Sequence, residues 1–161
     1  MNSQNNNFWN AILHDVNRSE KLKNNGPLYR KIVTDLIETL RLQFPSESIH
    51  VHYFGSRTVG LAGPDSDLDL YVDIGNSSGI YSDNPTKDVI EKGKSITKAI
   101  QSKPSTWVYL KNVGGRCPIV IVRHKISNID CDISFSNSMT CGQNKLVTYI
   151  FELQPIGECY Q

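Results

Sequence analysis

Two aspartates, Asp67 and Asp69, stand two residues apart where an apolar run begins in the middle of the chain. Alternate residues of a β-strand point to the same face of the sheet, so this spacing sets the two carboxylates side by side. Like charges that lie so close raise each other's pKa unless a cation sits between them. Because Mg²⁺ prefers carboxylates, waters and phosphate oxygens as ligands, the pair predicts a divalent metal site.

A Gly-Ser pair, Gly55-Ser56, ends the apolar run that precedes the aspartates, and ten residues separate it from Asp67. The backbone N–H groups and the hydroxyl of such a turn suit phosphate oxygens. A phosphate-binding turn followed by metal-binding carboxylates is the equipment for phosphoryl or nucleotidyl transfer. The spacing therefore predicts an enzyme of phosphoryl or nucleotidyl transfer.

Two simpler interpretations of the acidic segment compete with this one. The first is a solvated acidic turn after a strand. The second is a calcium loop, with Asp65, Asp67 and Asp69 at its first, third and fifth positions. The calcium loop fails, because Leu70 stands where it needs a glycine and Asn76 stands where it needs a bidentate glutamate.

Two-metal transfer chemistry needs a further carboxylate beside the first pair. The run 129–135 alternates apolar or sulfur residues with polar ones, which predicts a half-buried strand that carries Asp130 and Asp132 on one face. Both aspartates are candidates on this pattern. It favours Asp132 only modestly, because Asp132 lies deeper in the strand.

The composition is that of one globular domain: 161 residues, 39% hydrophobic and 20% charged, with a net charge of +1. This balance does not indicate a strongly basic nucleic-acid binder, although it permits a local basic patch. No apolar run reaches the length of a membrane span, and the first residues lack the features of a secretory signal. The four cysteines show no zinc spacing, so we expect reduced thiols in an intracellular, cytoplasmic protein that binds no membrane.

Hydrophobic periodicity and the positions of Gly and Pro predict helices and strands in alternation around these motifs. Helices are expected at 8–22 (after a polar, disordered start), 27–40 and 138–153, and another from the cap Asn84-Pro85 to about residue 100. Strands are expected at 49–54, 68–74, 106–113, 116–122 and 129–135, with turns at 57–64 and 114–115 and a polar link at 124–128.

Two further groups of residues are better explained by solvent exposure than by binding. His50 and His52 share one strand face and could bind a metal, but no third ligand accompanies them, so a surface or supporting role is the stronger interpretation. The lysines of the helix after Pro85 form a basic face, and a solvated face is a stronger interpretation for it than an RNA contact.

The motif as a whole, Gly55-Ser56 followed after ten residues by Asp67-Leu68-Asp69, resembles the signature of the polymerase-β-like nucleotidyltransferase superfamily. The longer segment around this motif is similar to the corresponding sequence in noncanonical poly(A) polymerases and terminal uridylyltransferases. It reads FGSRTVGLAGPDSDLDLYV. The run Cys131-Asp132-Ile133-Ser134-Phe135 resembles the third motif of that branch.

The resemblance implies an α+β palm, a mixed sheet of about five strands with helices mainly on one face. It also implies a division of the chain at residue 25. Residues 1–25 would form an N-terminal amphipathic arm and 26–161 the catalytic palm, and the helical central domain of the family would be absent.

The same resemblance implies roles for the three aspartates. Asp67 and Asp69 would hold two Mg²⁺ (or Mn²⁺) ions. Asp132 would hold the ion that favours deprotonation of an RNA 3′ hydroxyl, and this places the third carboxylate at Asp132 more firmly than the pattern does. The implied partners are a nucleoside triphosphate and an RNA 3′ end.

Residues for the nucleotide are implied as well. Gly55 and Ser56 would bind the β- and γ-phosphates, and Ser66 would support the loop before the aspartates. The family usually carries Asn-Thr at the start of its last palm helix, where it contacts the nucleotide sugar. This chain has Gln143-Asn144 there, so Gln143 is the residue expected near the sugar.

Two functions are consistent with these expectations. The first is template-independent addition of adenylyl or uridylyl residues to RNA 3′ ends. The alternative is a catalytically inactive nucleotidyltransferase-like module that acts by dimerisation or partner binding. An apolar stripe with Phe8, Trp9, Ile12 and Leu13 would then pair with a second copy, or with a partner that replaces the helical domain.

Overall fold

In the computed structural model, the described residues are 3–75, 85–115 and 117–136, and they form helices and one five-stranded sheet. The helices are α1 Ser3–Lys23, α2 Gly26–Leu40, α3 Ser56–Val59 and α4 Lys87–Gln101. The strands are β1 Ile49–Phe54, β2 Leu68–Ile74, β3 Trp107–Val113, β4 Ile119–His124 and β5 Ile129–Ser134. The predicted α+β class is confirmed. Within the described ranges, no helix has the length and apolar character needed to cross a membrane.

The strand order across the sheet is β1-β2-β5-β4-β3. Strands β2 and β5 run parallel, whereas the other neighbouring pairs are antiparallel, so the sheet is mixed as predicted. Parallel neighbours need a crossover connection. Here the chain passes through α4, β3 and β4 before it returns as β5. The pairing of β2 with β5 therefore brings together two segments that are distant in the sequence.

The hydrophobic core lies between one face of the sheet and the helices α2 and α4. Leu68, Leu70 and Val72 of β2 are fully buried there, beside Cys131 and Ile133 of β5. The residues between them point to the opposite face, because successive side chains of a strand alternate. Burial of one face fixes the register, since a slip of one residue would carry the polar set into the core.

Helix α2 forms around the apolar stripe that the sequence predicts. Tyr29, Ile32, Leu36 and Leu40 recur at helical spacing and are all fully buried. Pro27 lies in the first turn, where a missing N–H removes no helical hydrogen bond. Burial of each such large side chain contributes roughly 1.5–3 kcal/mol, so this stripe attaches the helix firmly to the sheet.

Several predicted boundaries on the helical side were wrong. Helix α4 begins after Thr86 and not at the Asn84-Pro85 cap, because the Thr86 hydroxyl accepts the Val89 N–H at 3.4 Å and so caps the helix. Helix α1 begins at Ser3, earlier than expected. The helical turn α3 occupies the start of the predicted turn 57–64. The helix predicted at 138–153 lies outside the described residues.

Strand β4 spans Ile119–His124 and not the predicted 116–122. The error at the end of the strand comes from His124, a polar residue assigned to the link, which is fully buried in the core. Both ring nitrogens have partners: Nδ1 lies 2.8 Å from Ser127 Oγ, and Nε2 lies 3.0 Å from Asp35 Oδ2. Buried polar groups are normally hydrogen-bonded. The partner on α2 is too distant in the sequence for a local pattern to reveal.

Asp35 is the centre of a polar network between α2 and the sheet. It also accepts a hydrogen bond from Lys31. Trp107 packs edge-on against the His124 ring and donates its Nε1–H to Thr39 Oγ1 at 2.9 Å. Burial raises the pKa of Asp35, but the hydrogen bonds from Lys31 and His124 outweigh burial and hold this pKa below its usual value. Ionised Asp35 therefore stabilises the folded protein. This stabilisation is fully present above the pKa that Asp35 has in the unfolded chain, and it is lost as pH falls through the lower pKa that Asp35 has in the folded protein.

His124→Phe tests the network, because it keeps a ring against Trp107 but removes the partner of Asp35 Oδ2. We expect the free energy of unfolding to fall by about 1–3 kcal/mol, the cost of a buried acceptor that loses a hydrogen bond. Urea denaturation followed by circular dichroism measures it. Ser127→Ala, at the half-buried outer end of the network, serves as the control and should cost less. Equal stability of His124→Phe and the unmodified protein would contradict the prediction.

Candidate active site

Asp69 and Asp132 lie directly opposite each other on the parallel strands β2 and β5. Their neighbours Leu68 and Cys131 are buried in the core, so both carboxylates belong to the opposite face of the sheet. Asp67 is exposed and lies in the loop just before β2. The pairing of β2 with β5 thus places Asp69 beside Asp132, although the two residues belong to separate sequence motifs.

The pKa values of Asp69 and Asp132 reflect burial first and nearby carboxylates second. Burial and the charges of Asp132 and Asp67 raise the pKa of Asp69 to about 6. Burial and the charges of Asp67 and Asp130 also raise the pKa of Asp132, while the charge of Lys111 opposes this rise. Neighbouring carboxylates thus disfavour the ionisation of Asp69 and Asp132, and a bound cation would relieve this repulsion.

The two candidates for the third carboxylate, Asp130 and Asp132, have different environments. Arg123 on β4 contacts both oxygens of Asp130, with Nε 2.5 Å from Oδ1 and Nη2 2.9 Å from Oδ2. Hydrogen bonding to Arg123 lowers the pKa of Asp130. Asp132 instead has a buried Oδ1 with no hydrogen-bond partner among the described residues. A buried unpaired oxygen is costly, so Asp132 is the aspartate whose oxygen is better placed to bind a ligand.

Gly55 lies against Asp69, so the predicted phosphate turn and the carboxylates adjoin. Its backbone has φ 81° and ψ −163°, a region that is essentially restricted to glycine. A Cβ atom at this position would lie 1.8 Å from Asp69 Oδ2, so any side chain would displace the carboxylate. Ser56 follows as the first residue of α3, and its carbonyl accepts the Leu61 N–H at 3.1 Å.

Ser66 closes the loop that leads to Asp67. Its hydroxyl accepts the Gly63 N–H at 2.9 Å, and its carbonyl accepts the Arg57 Nε–H at 2.7 Å. These contacts agree with a supporting role for Ser66, and its contact with a nucleotide stays a prediction. Arg57 was not among the predicted site residues. Its one sequence signal is its position directly after Ser56.

The remaining predicted residues are two histidines on β1 and one residue outside the described ranges. His50 and His52 are exposed on β1, opposite Asp73 and Tyr71, which agrees with a surface role. Gln143 lies outside the described residues, so its contact with the nucleotide sugar stays a prediction.

The donor set suits a hard divalent cation that completes its coordination with other ligands. In the part of the chain that the structure describes, no group of three or more His, Cys, Asp or Glu side chains is arranged so that it could hold a metal ion, so Asp67 does not join Asp69 and Asp132 in a set of three ligands. Mg²⁺ usually takes one or two carboxylates and fills its shell with waters and substrate phosphates, so Asp69 and the unpaired oxygen of Asp132 fit it. They do not fit a structural zinc ion, which needs four protein ligands.

A family model described as "Poly(A) RNA polymerase, mitochondrial-like, central palm domain" matches residues 10–152. The chain belongs to this family. The predicted resemblance to nucleotidyltransferases is therefore confirmed, and the sheet that carries Asp69 and Asp132 belongs to a palm domain of this family. The match starts within α1, so the predicted division of the chain at residue 25 stays a prediction.

Solved structures with the same fold include "Crystal structure of mtPAP in complex with UTP" (TM-score 0.64, 20% identity) and "Terminal uridylyl transferase 4 from Trypanosoma brucei with bound GTP" (0.65, 20%). A third is "structure of GLD-2/RNP-8 complex" (0.63, 18%). The alignments cover 88%, 88% and 86% of this palm domain. They cover 33%, 45% and 54% of those chains, so the palm domain spans about half of their length or less.

Asp69 provides a test of the electrostatics of the palm site. Its pKa of about 6 in the folded state lies above that of a free carboxyl, so stability falls as pH rises through this range. Asp69→Asn removes the charge. At about pH 7.5 we expect a melting temperature about 2–4 °C higher, equivalent to about 1 kcal/mol after allowance for partial solvent screening.

At about pH 4.5 the substitution should leave the melting temperature nearly unchanged, because Asp69 is then protonated in the folded protein. Differential scanning calorimetry in the absence of divalent ions measures both values. The exposed Asp65→Asn is the control. A gain of equal size at both pH values would count against the prediction.

Proposed function

We propose that the palm domain is the catalytic part of a template-independent nucleotidyltransferase that adds adenylyl or uridylyl residues to RNA 3′ ends. The observation that carries this proposal is the pairing of Asp69 with Asp132 on adjacent parallel strands. Gly55 lies against the carboxylate of Asp69. Catalysis of phosphoryl transfer depends mainly on positioning and on charge stabilisation. The glycine-serine turn would position the phosphates, and the clustered carboxylates would hold the cations that stabilise charge.

The aspartates have distinct roles in this proposal. Asp67 and Asp69 would hold Mg²⁺ or Mn²⁺ at the triphosphate, and Asp132 would hold an ion beside the RNA 3′ hydroxyl. When bound, the ions would lower the pKa of the hydroxyl and neutralise charge on the departing phosphates. The buried, unpaired Oδ1 of Asp132 supports its assignment, as does the engagement of Asp130 by Arg123.

The nucleotide would occupy the side of the site that Gly55 and Ser56 form. These two residues would contact the β- and γ-phosphates. Ser66 would support the loop before Asp67, and Gln143 would contact the nucleotide sugar. The RNA 3′ oxygen forms a bond to the α-phosphorus and its proton passes to solvent. The bond between the α-phosphorus and the bridging oxygen breaks, and pyrophosphate leaves.

The substrate class is a ribonucleoside triphosphate. Solved relatives are described with UTP and ATPγS in mtPAP, and with GTP and CTP in the trypanosomal enzyme. Both purine and pyrimidine nucleotides thus occur in solved structures with this palm fold. We propose ATP or UTP for this chain because its motif resembles the poly(A) and uridylyl branch.

Nucleotide addition to RNA tests the enzyme proposal. The protein is incubated with end-labelled RNA, each ribonucleoside triphosphate in turn and Mg²⁺ or Mn²⁺, and the products are resolved on a denaturing gel. We expect extension with ATP or UTP. Asp132→Asn should slow it about 100- to 1,000-fold, because it removes charge that acts on the reacting groups.

Asp130→Asn is the matched control, since it neutralises the neighbouring carboxylate that Arg123 already engages. This variant should retain most of the activity. Absence of both RNA extension and nucleotide-dependent Mn²⁺ binding in the unmodified protein would reject the enzyme proposal. That result would favour the second function below.

The second function is that of a catalytically inactive palm that acts by association, and an exposed apolar surface of α1 supports the association. Four of its large apolar side chains are more than half exposed: Phe8 60%, Trp9 54%, Leu13 57% and Val16 53%. Large exposed apolar patches are uncommon on monomers and mark interaction sites. We propose that this stripe pairs two copies of the chain in an isologous dimer, the commonest arrangement for a single chain type.

Phe8→Asp combined with Ile12→Asp tests the α1 interface. The double substitution should convert a dimer to a monomer without a loss of folding, because it places charges where apolar side chains would meet. Analytical ultracentrifugation at high micromolar concentration measures the mass, and circular dichroism checks the fold. Leu42→Asp, at another exposed leucine, is the control. A monomeric unmodified protein would exclude the dimer.

A further inference from the structure

The segment between Ser56 and Asp67 must hold the phosphate turn and the carboxylates at a set distance. Helix α3 ends at Val59, and Gly60 follows in the left-handed conformation with φ 80°. Residues 61–67 belong to no helix or strand. The position of Asp67 relative to Ser56 therefore depends on contacts made across this loop.

Arg57 makes a contact that spans the loop. It lies in the four-residue helix α3, yet it is only 5% exposed. Its Nε–H donates to the Ser66 carbonyl at 2.7 Å. That carbonyl belongs to the peptide bond that joins Ser66 to Asp67. The residue after Ser56 thus holds the residue before Asp67.

The other hydrogen bonds described in this loop are local to one end of it. The Leu61 N–H donates to the Ser56 carbonyl at 3.1 Å, beside α3. Near Asp67, the Gly63 N–H donates to Ser66 Oγ at 2.9 Å, and the Ser66 N–H donates to the Gly63 carbonyl at 3.3 Å. These contacts shape each end, whereas Arg57 joins one end to the other.

A buried arginine is a costly way to fill space, because its guanidinium must be taken out of water. An apolar side chain of similar length would fill the same volume at a lower cost. What arginine adds is a planar, permanently protonated group whose Nε–H can donate sideways to a carbonyl. The hydrogen bond to Ser66 is the described contact that uses this property.

We infer that Arg57 is a positioning residue that clamps the Ser66 carbonyl and thereby sets Asp67 at a fixed distance from Gly55-Ser56. Its benefit to catalysis rests on the proposed function, in which Asp67 binds metal and the turn binds phosphates. The ordering of the loop by Arg57 is a separate property, and it can be measured without metal or nucleotide.

Arg57→Met is the test variant, because methionine fills a similar volume but cannot donate to Ser66. Arg41→Met, at an exposed arginine after α2, is the matched control. Amide hydrogen exchange of Leu61, Ser66 and the core residue Val122 is measured by NMR in metal-free protein. Binding of Mn²⁺ is measured by electron paramagnetic resonance, with and without a non-hydrolysable ATP or UTP analogue.

In Arg57→Met we expect exchange at Leu61 and Ser66 to become at least about tenfold faster, with Val122 unchanged, because one anchoring hydrogen bond is lost locally. The analogue-dependent affinity for Mn²⁺ should fall by about tenfold, since the ligands no longer stand at the required distance. Arg41→Met should change neither property.

Unchanged exchange at Leu61 and Ser66 would overturn the clamp. An equal acceleration at Val122 would also overturn it, because a general loss of stability would then explain the effect. If the loop loosens while Mn²⁺ affinity with the analogue stays the same, the positioning role is overturned and the proposed function stands.

If the unmodified protein binds neither Mn²⁺ nor the analogue, the proposed function fails, and the positioning of Asp67 for a metal fails with it. The hydrogen-exchange data then test only whether Arg57 orders the loop through its hydrogen bond to Ser66. If Arg57→Met does not fold, Arg57→Lys replaces it, because lysine keeps the charge but moves the donor away from the position of Nε. The same two measurements and the same outcomes then apply.

Discussion

The parallel pairing of β2 with β5 is the interaction on which the candidate site depends. On one face it packs Leu68 and Leu70 against Cys131 and Ile133, and on the other it sets Asp69 beside Asp132. The apolar face favours the pairing, at roughly 1.5–3 kcal/mol for each large side chain buried. The carboxylate face opposes it, because burial and the charges of Asp132 and Asp67 raise the pKa of Asp69. Proteins commonly accept such a local conflict at a functional site when the surrounding structure is well packed.

The elements nearest the site could be predicted because their patterns are uninterrupted. Strands β1 and β2 have the bounds that their alternation indicates, and β5 differs only at its last residue. The spacing of Asp67 and Asp69 located the acidic cluster. The pattern alone could not choose between Asp130 and Asp132, because both share one strand face. That choice depends on Arg123, which pairs with Asp130 across neighbouring strands.

Features that depend on contacts between distant segments could not be predicted from local pattern. His124 looked like a link residue because its partner Asp35 lies 89 residues away on another element. Arg57 was predicted only as part of a turn, although it is buried and donates a hydrogen bond to the Ser66 carbonyl across a loop. The strand order had the same difficulty, since nothing in β2 alone shows that β5 is its neighbour. The family resemblance supplied what local periodicity could not.

The described strands fall into two groups, each of which pairs within its own half of the chain. Strands β1 and β2 belong with α2 to the first half, and β3, β4 and β5 belong with α4 to the second. The aspartates meet at the seam between the groups, and the hydrogen bonds of His124 with Asp35 and of Trp107 with Thr39 cross the same seam on the core side. Contacts between distant segments carry a larger loop-closure cost than local ones. The aspartate cluster exists only when the two halves dock, so it depends on the same contacts that hold the halves together.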